Sequence, residues 1–355
     1  MLKRFIIYLC REFNYNVQKM ARVSIKSIAE VLGVSTATVS LVLNGKEKEG
    51  RVSKDVAEKI RLKAKEMHYE PNNLARGLRM GRSQTIGLIV ADISNLFFAN
   101  LAFHIQEHAE KYGYSVIITN TNESDLKLEK MVNVLKSRQV DGFIIVPTEH
   151  GMPYVETLVK RNFPTVLVDR NFAEIKAGAV VVDNYHASAK AVKSLIRQGC
   201  RNIGLIIYKS RLQHMRERKR GYIDAITEHG FYNPDFVKEI NYSTISDDIP
   251  IAIESLLLKE NRIDGIFFAT NTLSMLGIKQ LMNMNRRIPE DLKVVCFDKS
   301  DAFDFMDIPI PYIFQPLPEM GRIAVELLVE QIKEPSGERK YVELQASLVN
   351  SPDNN

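Results

Sequence analysis

The chain has 355 residues, of which 45% are apolar and 26% are charged, and it contains no Trp. This is ordinary globular composition with length for two or three domains, and it excludes collagen-like, disulfide-stapled and fully disordered classes. Charge is uneven: residues 20 to 82 carry a net +6 and residues 1 to 19 a net +3, whereas residues 83 to 355 carry a net −4. A short basic segment therefore precedes a long, slightly acidic body.

Residues 1 to 19 imitate a signal peptide because Lys3 and Arg4 precede an apolar run. That run covers only residues 5 to 10, and no small-residue cleavage site follows it. We expect this leader to be disordered or to be a misassigned start, with Met20 as the alternative initiator. No stretch approaches the roughly 18 to 20 apolar residues of a membrane span, so no membrane partner is expected. Three widely separated cysteines without metal-ligand spacing indicate a reduced, cytoplasmic protein without a zinc site.

Residues 20 to 70 have the pattern of a helix-turn-helix domain. Apolar residues recur at helical spacing up to Gly33, which predicts a first helix of about eight residues. Ser35 can cap a second short helix, and Ser53 can cap a third that covers the apolar faces of the first two. Two short helices joined by a three-residue turn form a helix-turn-helix, a geometry that also occurs in proteins that never touch DNA.

The second predicted helix carries short polar side chains instead of the long acidic residues usual on a solvated face. Hydroxyls and amides can approach phosphates and base edges, and the segment is net positive. We therefore interpret residues 20 to 70 as a DNA-binding domain, with a plain three-helix bundle as the alternative. The polar candidates for DNA contact are Ser35, Thr36, Thr38, Ser40 and Asn44.

Residues 71 to 82 predict a short basic hinge helix that starts after Pro71. A helix of about seven residues that contains Gly77 should be marginal alone, because nucleation is unfavourable and glycine costs about 1 kcal/mol relative to alanine. A basic, leucine-bearing element suits insertion into the minor groove, where an apolar wedge parts a base step. A flexible linker with scattered arginines is the alternative. The hinge residues expected to contact DNA are Asn72, Arg76 and Leu78.

From residue 83 onward, short aliphatic runs alternate with helical stretches in two successive series, the first from TIGLIVADI to PTVLVD and the second from AVVVDN to KVVCFD. This alternation predicts parallel sheets covered by helices on both faces. The fold expected is an all-α helix-turn-helix head followed by an α/β body of two doubly wound lobes. We assign residues 83 to 182 and 315 to 336 to the N-lobe, and residues 183 to 314 and 337 to 350 to the C-lobe.

Ligands of doubly wound sheets bind beyond the carboxyl ends of the strands, so the polar residues directly after the aliphatic runs are candidates. Each of them taken singly could equally be a helix cap or a turn former. Together they predict a cleft rich in carboxylates and amides, which suits sugar hydroxyls because these both donate and accept hydrogen bonds. The candidates are Asp92, Asn95, Asn120, Thr148, Asp169, Asp183, Asn271 and Asp298.

The chain resembles transcription regulators of the lactose-repressor (LacI/GalR) family. The resemblance rests on the head IKSIAEVLGVSTATVSLVLNGK, the hinge PNNLARGLRMGRSQTIGLIV and the body motifs VADISNLFFANL, VLVDRNF, RERKRGY, ATNTLSMLG and VVCFD. It covers residues from about 23 to 348. It implies a repressor of carbohydrate-utilisation genes that binds operator DNA under the control of a small sugar-like effector, held between two lobes of periplasmic-binding-protein type.

The resemblance also implies roles for individual residues. The second helix would lie in the major groove, where Thr36 and Ala37 help to choose the operator sequence. The hinge helices of a homodimer would pair in the minor groove, with Leu78 as the wedge, and the helix from Phe98 to His108 is a candidate for the dimer contact. The effector-binding residues that the resemblance implies are Asn95, Phe97, Phe98, Asp169, Arg218, Asn271 and Asp298. Thr148 is added to them because of its position after an aliphatic run.

Two departures from the family pattern concern the head. Many members have arginine where this chain has Leu41, and the loop NGKEKEGRVS is about three residues longer than the usual NGKGRVS. Leu41 cannot donate a hydrogen bond to guanine, so we expect a different operator preference, with Leu41 in apolar contact with thymine methyl groups.

Two further departures concern the pocket. Thr272 stands where the family usually has aspartate, and Lys299 also replaces an aspartate. A lost carboxylate and an added ammonium would favour an acidic or phosphorylated effector, unless Lys299 points to solvent.

Signatures of catalysis are missing from the sequence: there is no phosphate-binding GxxxxGK[ST] loop, GxGxxG after a strand, HExxH or GxSxG. We therefore expect neither enzymatic activity nor a cofactor, and His104 and His108 are interpreted as helix surface and not as metal ligands. The competing classes are a periplasmic sugar-binding protein, which would need an export signal and no DNA head, and a carbohydrate kinase, which would need a phosphate loop.

Overall fold

The computed structural model describes residues 23–69, 82–258, 262–305 and 310–349. The predicted leader and the hinge residues Asn72, Arg76 and Leu78 lie outside the described residues. The described part of the chain falls into two compact units, one on each side of the hinge segment.

The first unit is a three-helix head made of α1 (Ile25–Leu32), α2 (Thr36–Leu43) and α3 (Lys54–Glu66). Gly33 ends α1 with a φ of 65°, a left-handed conformation that glycine adopts without a side-chain clash. The Oγ atoms of Ser35 and Ser53 accept hydrogen bonds from the backbone N–H groups of Thr38 and Val56 at 3.0 and 3.4 Å. The three helices and the caps predicted from the sequence are confirmed.

The head has its own apolar core, to which all three helices contribute. Ala29 is only 4% exposed, which agrees with the need for a small side chain where α1 and α2 approach each other. The other fully or nearly fully buried residues are Ile28, Val39, Val42, Ala57, Ile60 and Ala64.

The second unit consists of two lobes, each with a six-stranded sheet. In the first lobe the strand order is β11-β5-β4-β3-β1-β2 and all neighbours pair in parallel. Its elements are β1 (Thr85–Val90), α4 (Leu96–Lys111), β2 (Ser115–Asn120), α5 (Asp125–Ser137), β3 (Gly142–Ile145), α6 (Met152–Lys160), β4 (Thr165–Val168), β5 (Gly178–Val182), α11 (Leu317–Lys333) and β11 (Tyr341–Leu344).

In the second lobe the strand order is β12-β10-β9-β8-β6-β7, and only β12 is antiparallel to its neighbour. Its elements are α7 (Asn184–Arg197), β6 (Ile203–Tyr208), α8 (Gln213–Thr227), β7 (Val237–Ile240), α9 (Ile245–Leu257), β8 (Gly265–Phe268), α10 (Asn271–Asn283), β9 (Lys293–Phe297), β10 (Tyr312–Phe314) and β12 (Ser347–Val349).

Helices cover both faces of each sheet, which confirms the two doubly wound lobes. Successive strand residues point to opposite faces, so Leu88 packs with α4 and α11 whereas Ile89 packs with α5 and α6. The central strands of both sheets are buried on both faces, which explains why they appear in the sequence as unbroken aliphatic runs.

The structure corrects one lobe assignment. Residues 341–344 form β11, which pairs with β5 in the first sheet, so the prediction that residues 337 to 350 belong to the C-lobe is wrong for this strand. The chain therefore crosses between the lobes three times, after Val182, after Phe314 and after Leu344. Only β12, which follows the third crossing, belongs to the second sheet.

Candidate nucleic-acid interface and interlobe cavity

The candidate DNA interface is the exposed side of α2. Thr36 and Ala37 are exposed, while Val39 and Val42 on the opposite side are buried. The predicted polar residues already bond locally: Ser35 Oγ lies 2.8 Å from Thr38 Oγ1, and Asn44 Nδ2 donates to the carbonyl of Ser40 at 2.7 Å. These bonds fix the rotamers of the predicted side chains before any partner binds.

The second candidate site is a cavity of about 690 Å³ between the two lobes of the body. It lies beyond the carboxyl ends of the strands, where doubly wound folds bind ligands. Seven of the eight predicted effector-binding residues line it: Asn95, Phe97, Phe98, Asp169, Arg218, Asn271 and Asp298.

Thr148 is the exception. Its side chain is fully buried and does not line the cavity, because residues 146 to 148 stay buried after β3 ends. Glu149 and His150 are the first residues beyond β3 that reach the cavity. Two of the broader candidates are also absent from its lining: Asp183 caps α7 and Asn120 bonds to Asn122.

Asp169 and Asp298 occupy equivalent positions in the two lobes, each directly after a strand. Both have a left-handed backbone, with φ of 67° and 71°. This conformation costs a non-glycine residue roughly 1–2 kcal/mol, although aspartate tolerates it better than most. Such local strain is typical of functional sites, where the surrounding structure holds a side chain in place.

Burial raises the pKa of both aspartates. The pKa of Asp298 rises to about 6, with the charge of Arg218 and a hydrogen bond from Gln315 acting in the opposite direction. Gln315 Nε2 donates to Asp298 Oδ1 at 2.7 Å, so this carboxylate is already oriented. Burial likewise raises the pKa of Asp169, and Arg170 and Arg218 oppose that shift.

Arg218, on α8, is only 2% exposed. Its Nε donates to Asn184 Oδ1 and its Nη1 to the carbonyl of Ala269, each at 2.7 Å, and its guanidinium lies 3.4 Å from the centre of the Phe297 ring. Within the described residues, Nη2 makes no hydrogen bond. Arg218 therefore presents a fixed donor to the cavity.

Arg170 was not predicted as a site residue, although it directly follows Asp169. It forms a bidentate ion pair with Glu123 at 2.7 and 2.8 Å and lies 3.5 Å from Asp169. Its guanidinium lies 5.7 Å from the centre of the Phe98 ring. Two carboxylates thus neutralise this buried cation.

Other buried polar atoms at the cavity make no hydrogen bond within the described residues. They include His214 Nδ1 and Gln315 Oε1. Burial, and then the charges of Arg170 and Arg218, hold the pKa of His214 well below its usual range, so this imidazole is neutral and can accept a hydrogen bond. Unpaired buried polar atoms are costly, and a bound polar ligand would satisfy them.

His214 lies one helical turn before Arg218, a spacing that could have indicated a shared face. No signal in the sequence points to Tyr242, which lies in a 3₁₀ turn after β7 and still lines the cavity.

Among the described residues, three hydrogen bonds join the two lobes at the cavity. Glu149 accepts from the backbone N–H of Arg211 at 2.9 Å and from Ser210 Oγ at 3.3 Å, and Asn95 Nδ2 donates to Thr272 Oγ1 at 3.4 Å. The lobes are therefore already in contact across the mouth of the cavity.

Replacing Asp298 with Asn is expected to raise the melting temperature of the ligand-free protein by a few degrees above pH 6. The native pKa of about 6 lies above the ordinary 3.8, so the stabilising contribution of Asp298 is full below 3.8 and is lost as pH rises through 6. The gain from Asn should therefore be constant above pH 6 and shrink toward pH 4. Thermal unfolding at pH 4 to 8 measures it, with the exposed Asp301→Asn as control. A gain that does not vary with pH would contradict the buried carboxylate.

Within the described residues, no single helix has the length and apolar composition needed to cross a membrane; α1 and α2, bent by 114°, meet that test only as a pair. The same residues contain no group of three or more His, Cys, Asp or Glu side chains placed to hold a metal ion.

Family models match a segment in each of the two units of the chain. Residues 24–72 match the model of bacterial regulatory proteins of the lacI family, and residues 192–350 match a periplasmic binding protein-like domain. A ribose operon repressor from Halalkalibacterium halodurans is 33% identical over 327 residues, which cover 92% of this chain and 95% of that protein.

Solved structures show the same fold. A putative ribose operon repressor from Burkholderia thailandensis is 29% identical with a TM-score of 0.69, over 76% of this chain and 99% of that one. The lac repressor dimer bound to operator and the anti-inducer ONPF is 21% identical with a TM-score of 0.80, over 92% of this chain and 98% of that one.

Proposed function

Because the chain belongs to the LacI family of bacterial regulatory proteins, we propose that it is a cytoplasmic homodimeric repressor whose affinity for operator DNA is controlled by a neutral sugar bound between its lobes. Its homologues are DNA-binding transcriptional regulators, which are not enzymes. We further propose that it controls carbohydrate-utilisation genes.

The excess of negative charge in the cavity lining favours a neutral sugar over an anionic one. Six carboxylates line it against three cationic side chains, Lys209, Arg170 and Arg218, and Arg170 is already neutralised. A phosphate or carboxylate on the effector would meet net negative charge, whereas hydroxyls can donate to the aspartates and accept from Arg218.

The departure at Lys299 does not favour an acidic effector. Lys299 pairs with Asp304 at 2.8 Å and is absent from the cavity lining. The names of the relatives agree with a neutral sugar, since two of them are ribose operon repressors.

The exposed edge of the first lobe supports pairing of two protomers. Strand β2 is an edge strand whose Ile117 and Ile118 are each 37% exposed, and Phe103 on the neighbouring α4 is 63% exposed. Exposed apolar side chains beside an open sheet edge suit a two-fold contact. Two heads would then match a near-palindromic operator.

Effector binding would act through closure of the lobes. A sugar can shift this equilibrium only if it binds one closure state more tightly than the other. The sign of the response, release from DNA or tighter binding, follows from which state the sugar prefers.

The test is selection of genomic fragments by the full-length protein, followed by anisotropy titration of the enriched site with a panel of sugars. We expect a near-palindromic site whose affinity changes at least tenfold with a neutral pentose or hexose, and not with the corresponding sugar phosphates. Failure to enrich any fragment would refute sequence-specific regulation. A response to anionic sugars alone would refute the interpretation of the cavity charge while leaving the DNA function intact.

A further inference from the structure

Leu41 lies toward the exposed side of α2, on the surface that carries Ala37 and Asn44, and yet it is only partly exposed. The loop that follows α2 covers it. A Cβ atom added to Gly50 would lie 2.4 Å from Cδ1 of Leu41 and 3.4 Å from its Cγ, so the loop backbone rests directly on this side chain. Leu41 is therefore occupied by a contact within the head.

The loop is ordered by its own bonds. The backbone N–H of Lys46 donates to the carbonyl of Leu41 at 2.8 Å, and that of Val52 donates to the carbonyl of Glu47 at 3.0 Å. The carboxylate of Glu47 forms an ion pair with Arg61 on α3. The residues that lengthen this loop relative to NGKGRVS thus form a compact turn held between α2 and α3.

The outward charge of the loop is positive. Glu47 is paired with Arg61, and Lys46 is paired with Glu49. Lys48 and Arg51 are exposed and belong to no ion pair within residues 23–69. Exposed, unpaired cations next to a DNA-reading surface are suited to phosphate oxygens.

We propose that Leu41 is a positioning residue that holds the loop 45–51 beside the reading surface of α2, and that Lys48 and Arg51 on this loop bind the DNA phosphate backbone. The inference rests on DNA binding by α2 and is independent of the effector and the cavity. Leu41 then contributes salt-sensitive backbone affinity in place of the base contact expected from the sequence.

The charge part of the proposal is tested with full-length protein and a 30-base-pair duplex of random sequence, by anisotropy between 50 and 300 mM KCl. Loss of one phosphate contact lowers the slope of log affinity against log salt by about 0.9. We expect the double variant K48Q/R51Q to lower the slope by roughly 1.8 for each bound head. The matched control K59Q/K65Q removes two exposed charges from α3 and should keep the wild-type slope. An unchanged slope in K48Q/R51Q, or equal losses in both variants, would overturn the proposal.

The positioning part is tested with Leu41→Ala, and with Leu41→Met as the control of similar size. We expect L41A to lower the salt slope toward that of K48Q/R51Q while base preference, selected from a randomised duplex pool, stays unchanged; L41M should retain both. Relaxed preference at one base pair with an unchanged slope would show that Leu41 contacts a thymine methyl and would overturn its positioning role. Circular dichroism of each variant verifies that the head is folded. If L41A fails to fold, K48Q/R51Q still tests the role of the loop, because it leaves the apolar core untouched.

Discussion

Replacing Arg218 with Lys is expected to weaken effector binding roughly 10- to 150-fold while operator binding persists. The guanidinium makes two directional hydrogen bonds, to Asn184 and to the carbonyl of Ala269, and stacks on Phe297. Lysine is a point charge on a flexible stem and can reproduce neither the fork nor the stacking. Loss of one charge-assisted hydrogen bond to the proposed effector costs about 1.5–3 kcal/mol, which is roughly 10- to 150-fold in affinity.

Calorimetric titration with the effector and anisotropy on operator DNA measure the two properties separately. Arg216→Lys is the matched control, because Arg216 is exposed on the same helix. Undiminished effector affinity in R218K would remove Arg218 from the effector site. Loss of operator binding without effector would show that the substitution damages more than the cavity.

Replacing Gly221 with Ala is expected both to destabilise the second lobe and to weaken effector binding. A Cβ atom at Gly221 would lie 2.3 Å from the carbonyl oxygen of Tyr185, so α8 would have to move away from α7. Backbone cannot rotate aside as a side chain can, and overpacking of this kind costs about 1–3 kcal/mol. The Arg218 to Asn184 bond joins the same two helices, so their separation would also displace the donor in the cavity.

Thermal unfolding and calorimetric titration of the same G221A preparation test the linkage. Arg216→Ala serves as the control, since it changes α8 at an exposed position away from the contact with α7. A G221A protein that melts and binds effector like the wild type would contradict the close packing of these helices.

Local signals in the sequence predicted the three head helices, most strands of the two sheets and the fold class. Gly33, Ser35 and Ser53 mark helix ends through bonds within a few residues, and the aliphatic runs identify buried strands. Arg218 was predicted as a cavity residue from the motif RERKRGY, and Asp298 from its position directly after a strand.

The failures concern contacts between distant parts of the chain. Tyr341–Leu344 has the alternating pattern of a strand, but nothing local indicates that its partner is β5 in the other lobe. Thr148 does not line the cavity because the backbone stays buried for three residues beyond β3. Tyr242 reaches the cavity only through the tertiary fold, so no spacing in the sequence could reveal it.

Because the chain crosses between the lobes three times, the first lobe cannot finish folding until nearly the whole chain has been synthesised. The core of the first lobe includes Met320 and Leu328 of α11, and its sheet is completed by β11. These segments are translated after almost all of the second lobe, so a nascent chain that ends before Leu317 leaves the apolar surface of α4 uncovered, a state prone to aggregation. The head, whose core lies entirely within residues 23–69, needs none of these later segments. A truncated translation product would therefore carry a folded head on a body that cannot complete its first lobe.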